Sequence, residues 1–228
     1  MRSALSRLKR IGERTIHPWR RKRALGRMRE RGMPDEVLVV CVGNICRSPF
    51  AEGRLNVHLA DRGIDGVRVR SAALLGVGVP SPKHAVAAAR ARGVDLREHR
   101  SVPVNGERLG RDELVLVMDP RQSRSIRRLS GVPRRQVVIL GDLDPAPIEL
   151  RAIPDPLHHP LEIFESCYDR LDRCVEQMVE VWADVEPRAR REQRRGRRLS
   201  EHSRAAGSAP PNPARDAAAA RHSPQGRG

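Results

Sequence analysis

A nucleophile and a cation lie six positions apart, near the start of the chain's apolar part. Residues 41–49 read CVGNICRSP, with Cys41 and Arg47 at the two ends of a short loop. A loop of this length between a strand and a helix can turn its backbone N–H groups inward around an anion. That setting favours the Cys41 thiolate, and the Arg47 fork suits two oxygens of a phosphate. The spacing therefore predicts a nucleophile beside a phosphate-sized site, with Gly43 permitting the strained turn.

The residues around this loop predict the elements that position it. Residues 36–42 are almost continuously apolar, as in a strand buried on both faces, and Pro49 is typical of a first helical turn. Further strands are predicted at 67–71, 114–118 and 137–140, and helices at 50–61, 83–92, 121–129 and 161–185. This alternation predicts an α/β fold: a single doubly wound domain with a four-stranded parallel sheet flanked by helices. Such sheets bind ligands at the carboxyl ends of their strands, where the loop begins.

The formal charge of +16 is concentrated in two arms. Residues 1–34 hold 12 basic and 2 acidic side chains and residues 187–228 hold 11 and 3, whereas residues 35–186 hold 21 and 23. We therefore predict one domain over 35–186 between disordered basic termini. These are a partly helical extension, 1–34, and an Arg/Ala/Pro-rich tail, 187–228. The extension has two interpretations, a solvated tail or a basic amphipathic helix on an anionic membrane.

The cysteines and the apolar runs limit the setting in which the chain works. No disulfide pattern, secretory signal or apolar run of about 20 residues is evident, so we expect a cytoplasmic protein with free thiols. No group of histidines and cysteines has the ligand spacing of a zinc site, so neither a metal nor another cofactor is expected. The four cysteines are Cys41, Cys46, Cys167 and Cys174.

The loop sequence resembles the active-site loop of the low-molecular-weight protein tyrosine phosphatases. Other features of that family recur in order over about residues 35–185: Ser71-Ala72-Ala73, Gly93-Val94-Asp95-Leu96 before His99-Arg100, Val117-Met118-Asp119 and Asp155-Pro156. The resemblance implies a metal-independent phosphatase that forms a cysteinyl-phosphate on Cys41. Its expected substrate is phosphotyrosine, or a similar phosphomonoester, on protein.

The resemblance also implies a role for each residue of the site. Cys41 would be the nucleophile, Arg47 the phosphate clamp and Asp155 the general acid that later activates water. Cys46 would be a redox partner that forms a reversible disulfide with Cys41. The backbone that binds phosphate would be that of Val42, Gly43, Asn44, Ile45, Cys46 and Arg47. The side chains that support the loop would be Asn44, Ser48, Ser71 and His99, with Ser48 also donating to the thiolate.

Two parts of the pattern leave alternatives open. Asp119 and Asp144 also precede prolines, as Asp155 does, and an Asp-Pro pair is often only a turn. Residues 157–159 and 72–83 supply none of the aromatic side chains that usually wall the phosphotyrosine slot. Phosphoarginine or a small phosphorylated metabolite therefore remains an alternative substrate, although Ile45 stands where the arginine branch tends to carry Thr. Arsenate reduction is disfavoured because residues 112–122 contain no cysteine.

A function of a different class also stays open. The chain could be a catalytically weak anion-binding protein whose basic arms dock on nucleic acid or an anionic membrane. Arginine suits phosphate contacts, but the arms lack interleaved aromatic side chains on which bases could stack. The presence of Cys41, Arg47 and Asp155 together with the supporting side chains favours an enzyme.

Overall fold

The computed structural model describes residues 2–104, 110 and 113–185, and its sheet matches the predicted one. The strands are β1 (Glu36–Cys41), β2 (Arg68–Ala73), β3 (Glu113–Val117) and β4 (Val137–Ile139). All three pairings are parallel, in the order β2-β1-β3-β4. The predicted α/β fold with four parallel strands is thus confirmed. The tail predicted at 187–228 lies outside the described residues.

Helices cover both faces of the sheet. Side chains alternate between the two faces along each strand, and apolar side chains on both faces need to be buried. The helices are α1 (Arg2–Arg31), α2 (Arg47–Asp61), α3 (Lys83–Arg90), α4 (Pro120–Ser130) and α5 (Leu161–Val185). Val37 and Val39 of β1 belong to the apolar core with α2, α3 and α5, whereas Leu38 and Val40 pack with Ile126 of α4. Burial on both faces explains why β1 and β3 are almost continuously apolar.

The N-terminal extension differs from the disordered, partly helical arm that the charge count indicated. Residues 2–31 form one helix, and Ala24, Leu25 and Met28 near its end are buried in the core that also contains α5. Their three- and four-residue spacing places them on one helical face. The domain boundary at residue 35 stays a prediction, and apolar contacts cross it. Among the described helices, none combines the length and the apolar character required to cross a membrane.

Candidate active site

The loop between Cys41 and Arg47 leaves the carboxyl edge of the sheet, as predicted. Cys41 is the last residue of β1 and Arg47 the first of α2, and both are buried. The chain beyond β2 runs alongside the loop: Leu74 donates its N–H to the Cys41 carbonyl at 2.9 Å and Leu75 to that of Val42 at 2.8 Å. The sulfur of Cys41 therefore lies where a helix begins and backbone N–H groups are free of helical partners.

The tight turn of the loop is made by Asn44, not by Gly43. Asn44 has φ 51°, in the left-handed region, whereas Gly43 has no positive φ and a Cβ there would make ordinary contacts with Ile45. The expectation that Gly43 permits the strain is therefore corrected. Asparagine tolerates this conformation better than most residues. The left-handed backbone at this position directs the Asn44 N–H onto Cys41 Sγ, with 3.1 Å between nitrogen and sulfur.

The side-chain amide of Asn44 orders the hydrogen bonds around the sulfur. The N–H of Val102 donates to Oδ1 at 3.0 Å, so Nδ2 faces Ser48 and Ser71 and donates to their Oγ atoms at 2.9 and 2.8 Å. Because the Ser48 oxygen accepts from this amide, its own hydrogen is free to point to Cys41 Sγ at 3.1 Å. The sulfur thus receives a backbone and a hydroxyl donor.

His99 and Glu52 form the outer part of this network. His99 Nε2 donates to the Asn44 carbonyl at 2.7 Å, which holds the left-handed residue in place. Glu52 was not predicted. Burial raises its pKa, and hydrogen bonds from Ser71 together with the electrostatic interaction with His99 partly offset that rise. It lies one turn after Ser48 on α2, so the four-residue spacing from Ser48 is the signal that would have found it.

Arg47 connects the loop to the segment before α5. Its Nη1 donates to the Ile153 carbonyl at 3.1 Å, and its Nη2 forms an ion pair with Asp155. Arg47 Nε is buried without a hydrogen-bond partner among the described residues. Asp155 is 43% exposed, and its Oδ1 accepts the Leu157 N–H at 3.3 Å. A carboxylate in reach of solvent and an arginine with unused donors therefore stand together.

The two competing aspartates have structural partners. Asp119 is the N-cap of α4, where its side chain accepts hydrogen bonds from the backbone N–H groups of Arg121 and Gln122. Asp144 is buried and forms ion pairs with Arg170 and Arg173. Neither contact involves the Cys41 loop. The geometry therefore distinguishes Asp155 from the other two.

Aromatic side chains pack behind the loop. The Tyr168 hydroxyl donates to the Cys46 carbonyl at 3.1 Å, and its ring stacks on Phe50 with centroids 3.9 Å apart. Sequence reasoning missed this contact.

Burial, followed by the negative charges of Asp155 and Cys41, raises the pKa of the Cys46 thiol above its usual range. Burial likewise raises the pKa of Cys167 to about 12.

The mouth of the loop is aliphatic. Val42 is 40% exposed, and Leu75 and Val77 are 72% and 71% exposed in the segment that runs beside it. Leu157 is half-buried against the core, after Asp155. None of these mouth residues carries a ring. In the part of the chain that the structure describes, no three His, Cys, Asp or Glu side chains are grouped so that they could hold a metal ion.

Comparisons with known proteins show the family to which the sheet domain is similar. Residues 36–190 match the family model described as low molecular weight phosphotyrosine protein phosphatase. A relative named as a probable low molecular weight protein-tyrosine-phosphatase, EpsP of Ralstonia nicotianae, is 34% identical over 148 residues, which are 64% of this chain and 95% of the relative. The family match begins at residue 36, so it covers the sheet and leaves out α1.

Two solved structures have a similar fold. The crystal structure of the tyrosine phosphatase AmsI from Erwinia amylovora aligns with a TM-score of 0.55 at 27% identity, covering 65% of this chain and 93% of that one. The YwlE arginine phosphatase, solved as a cysteine-to-serine mutant with a phosphorylated active-site serine, aligns with a TM-score of 0.55 at 25% identity. That alignment covers 64% of this chain and 93% of YwlE.

Proposed function

The chain belongs to the low molecular weight phosphotyrosine protein phosphatase family, and we propose that it hydrolyses phosphotyrosine on protein through a phosphocysteine on Cys41. The observation that carries this proposal is the sulfur of Cys41, which accepts from the Asn44 N–H at 3.1 Å and lies 3.1 Å from the Ser48 hydroxyl. The phosphorylated serine in the YwlE mutant supports a covalent intermediate at the corresponding position.

In the first step, Cys41 Sγ attacks phosphorus. The S–P bond forms as the bond to the leaving oxygen breaks, and Asp155 gives its proton to that oxygen. Inward N–H groups of residues 42–47 and the Arg47 fork stabilise the three equatorial oxygens. In the second step, Asp155 takes a proton from water, which attacks phosphorus and breaks the S–P bond. Inorganic phosphate leaves, and Cys41 is again a thiolate.

Arg47 and Asp155 exchange partners when substrate binds. Nε and Nη2 form one edge of the guanidinium, and that edge is the one that meets two phosphate oxygens side by side. Nε has no partner among the described residues, whereas Nη2 is paired with Asp155. A phosphate that takes this edge displaces the Asp155 carboxylate. The displaced carboxyl group is then free to face the leaving oxygen of the substrate.

The test is hydrolysis of p-nitrophenyl phosphate in EDTA near pH 6. We expect turnover by the wild type and none by Cys41→Ser. Asp155→Ala should lower kcat about 10²–10⁴-fold. The decrease should be larger for phenyl phosphate, because its leaving group is more basic and needs the proton more. Asp119→Ala is the matched control, because it removes another Asp-Pro carboxylate and should turn over normally. Absence of turnover in a folded wild type would refute the proposal.

The aliphatic mouth is the observation that favours a second candidate substrate, phosphoarginine. Val42, Leu75 and Val77 offer apolar contact but no ring for a phenyl group to stack on. A direct comparison of kcat/KM on one peptide carrying phosphotyrosine or phosphoarginine distinguishes the two. We expect phosphotyrosine to be preferred, because Ile45 stands where the phosphoarginine branch of the family tends to carry Thr. A higher kcat/KM on the phosphoarginine peptide would identify phosphoarginine as the substrate.

We also propose that α1 contacts an anionic membrane and that the enzyme works in the cytoplasm. Ile11, Ile16 and Trp19 are exposed apolar side chains on a helix rich in arginine, which favours a lipid surface over nucleic acid. All four cysteines are free, and Cys41 acts only when reduced. Cosedimentation with phosphatidylserine vesicles, lost in high salt, is the expected result. Binding to single-stranded DNA without vesicle binding would favour nucleic acid instead.

A further inference from the structure

A basic cleft lies between α1 and the segment that follows β4. Its volume is about 560 Å³, within the roughly 300–1,000 Å³ of small-molecule sites. Its wall on α1 includes the polar side chains of Arg14, His17, Arg21, Lys22 and Arg29, and residues 145–147 lie opposite. No residue of the Cys41 loop lines the cleft. It is therefore a separate feature from the active site.

The side chains that line the cleft bring positive charge and no negative charge. None of its lining residues is acidic. Arg21 donates to two neutral acceptors, the Leu143 carbonyl at 3.4 Å and the Gln177 side-chain oxygen. Arg14, Lys22 and Arg29 make no ion pair within the described part of the chain. Like charges on one helical face repel, and an anion between them removes that repulsion.

His17 supplies a second, independent observation. It lines the cleft and is only 4% exposed, and its Nε2 donates to the Asp144 carbonyl at 2.9 Å. Nδ1 is buried with no hydrogen-bond partner among the described residues. Buried polar atoms are rarely left unpaired in folded proteins. Nδ1 can pair with an anion when the ring is protonated and with a hydroxyl when it is neutral.

The cleft exists because α1 lies against the domain. The family match begins at residue 36, so the basic side chains of the cleft come from outside it. Residues 145–147, on the other side, come from within it. A ligand held here would therefore be a property of this chain and not of the shared catalytic domain.

We propose that this cleft binds the phosphate of a small phosphorylated molecule or of a lipid headgroup. Two or more arginines can each bind a phosphate with paired N–H groups, and Lys22 adds a point charge. His17 Nδ1 completes the set from the buried side. The proposal goes beyond the catalytic function and does not depend on turnover.

Isothermal titration of pyrophosphate into the full chain tests the site. The parent protein carries Arg47→Ala, which removes the guanidinium of the active site, so that remaining binding reports the cleft. Combining Arg14→Ala, Lys22→Ala and Arg29→Ala in this parent should weaken binding at least about tenfold. His17→Gln keeps an N–H for the Asp144 carbonyl but loses Nδ1, and should weaken binding several-fold without changing the chain's fixed charge.

The matched control removes three exposed arginines of α4, in the combination Arg124→Ala, Arg127→Ala and Arg128→Ala. It lowers the net charge equally and should leave the pyrophosphate affinity within about twofold. Equal weakening by both triple variants would show diffuse charge and overturn the proposal. Absence of pyrophosphate binding in the folded parent, together with no vesicle binding, would also overturn it.

Vesicles distinguish the two sources of phosphate. Full-length protein is sedimented with phosphatidylcholine vesicles that do or do not contain phosphatidic acid. Loss of sedimentation in the α1 triple variant but not in the α4 control would assign the cleft to a lipid headgroup. If the parent binds pyrophosphate and the two triple variants sediment equally with the vesicles, the cleft would be assigned to a soluble phosphorylated molecule.

Discussion

The two sides of the Cys41 loop are built differently. Behind the loop, polar groups of Asn44, Ser48 and His99 are paired at 2.7–3.1 Å, and Tyr168 and Phe50 stack against each other. In front of it, Val42 and Val77 are exposed aliphatic side chains. The stacked rings of Phe50 and Tyr168 therefore support the loop from behind and do not lie at its exposed mouth. We therefore expect that substitutions on one side change catalysis and that substitutions on the other change substrate choice.

The largest effect is expected behind the loop, from Asn44→Gly. Glycine keeps the left-handed backbone but removes the amide that orients Ser48 and Ser71. We expect kcat for p-nitrophenyl phosphate to fall about 10²–10³-fold, comparable to the loss of one oxyanion donor. Ser71→Ala, which removes a hydroxyl that contacts Asn44 and Glu52 but not the sulfur, should cost far less. A kcat of Asn44→Gly near that of the wild type would mean that the amide does not order the site.

The sequence predicted the parts of this side that depend on local spacing. Cys41, Arg47 and Ser48 follow from one strand–loop–helix segment, whereas Glu52, four residues after Ser48 on the same helix, was not predicted. Asn44 and Gly43 both tolerate a left-handed backbone, so the sequence alone could not tell which residue takes it. Tyr168 is 122 positions from Cys46, and no periodicity encodes a hydrogen bond over that separation. Burial of α1 was missed because charge counting ignores the apolar spacing of Ala24 and Met28.

Cys46, also behind the loop, should make disulfide closure depend on pH. After peroxide oxidises Cys41 to the sulfenic acid, the Cys46 thiolate attacks that sulfur, the S–S bond forms and hydroxide leaves. Since burial raises the pKa of Cys46, its thiolate is scarce at neutral pH and increases as pH rises. The closure rate should therefore rise about tenfold per pH unit between pH 6 and 8.

Quenched samples analysed by mass spectrometry would measure this rate. Cys167→Ser is the control, because Cys167 is another buried thiol and should not change the rate. Cys46→Ser should prevent closure and leave Cys41 open to further oxidation. A closure rate that does not vary with pH would contradict the assignment of Cys46 as the attacking thiol.

In front of the loop, Val77→Tyr should sharpen substrate choice without changing the chemistry. A ring at this exposed position can stack on the phenyl group of phosphotyrosine, which is worth about 0.5–1.5 kcal/mol, or roughly 2- to 10-fold in KM. kcat for p-nitrophenyl phosphate should be unchanged, and a phosphoarginine peptide should gain nothing from the ring. Leu129→Tyr on α4, also an exposed site, is the control. An equal gain with both peptides would mean that the added surface is not selective for rings.

The smallest effect is expected from Tyr168→Phe, which separates the two contacts that this ring makes behind the loop. Phenylalanine keeps the stack on Phe50 but leaves the Cys46 carbonyl without its donor at 3.1 Å. Unfolding in urea should show a loss of about 1 kcal/mol, because a net hydrogen bond contributes about that much. Tyr168→Leu loses the stack as well and should cost more. If Tyr168→Phe instead lowers kcat as strongly as Asn44→Gly, the hydroxyl orders the loop directly, and the ring is part of the catalytic side and not only its support.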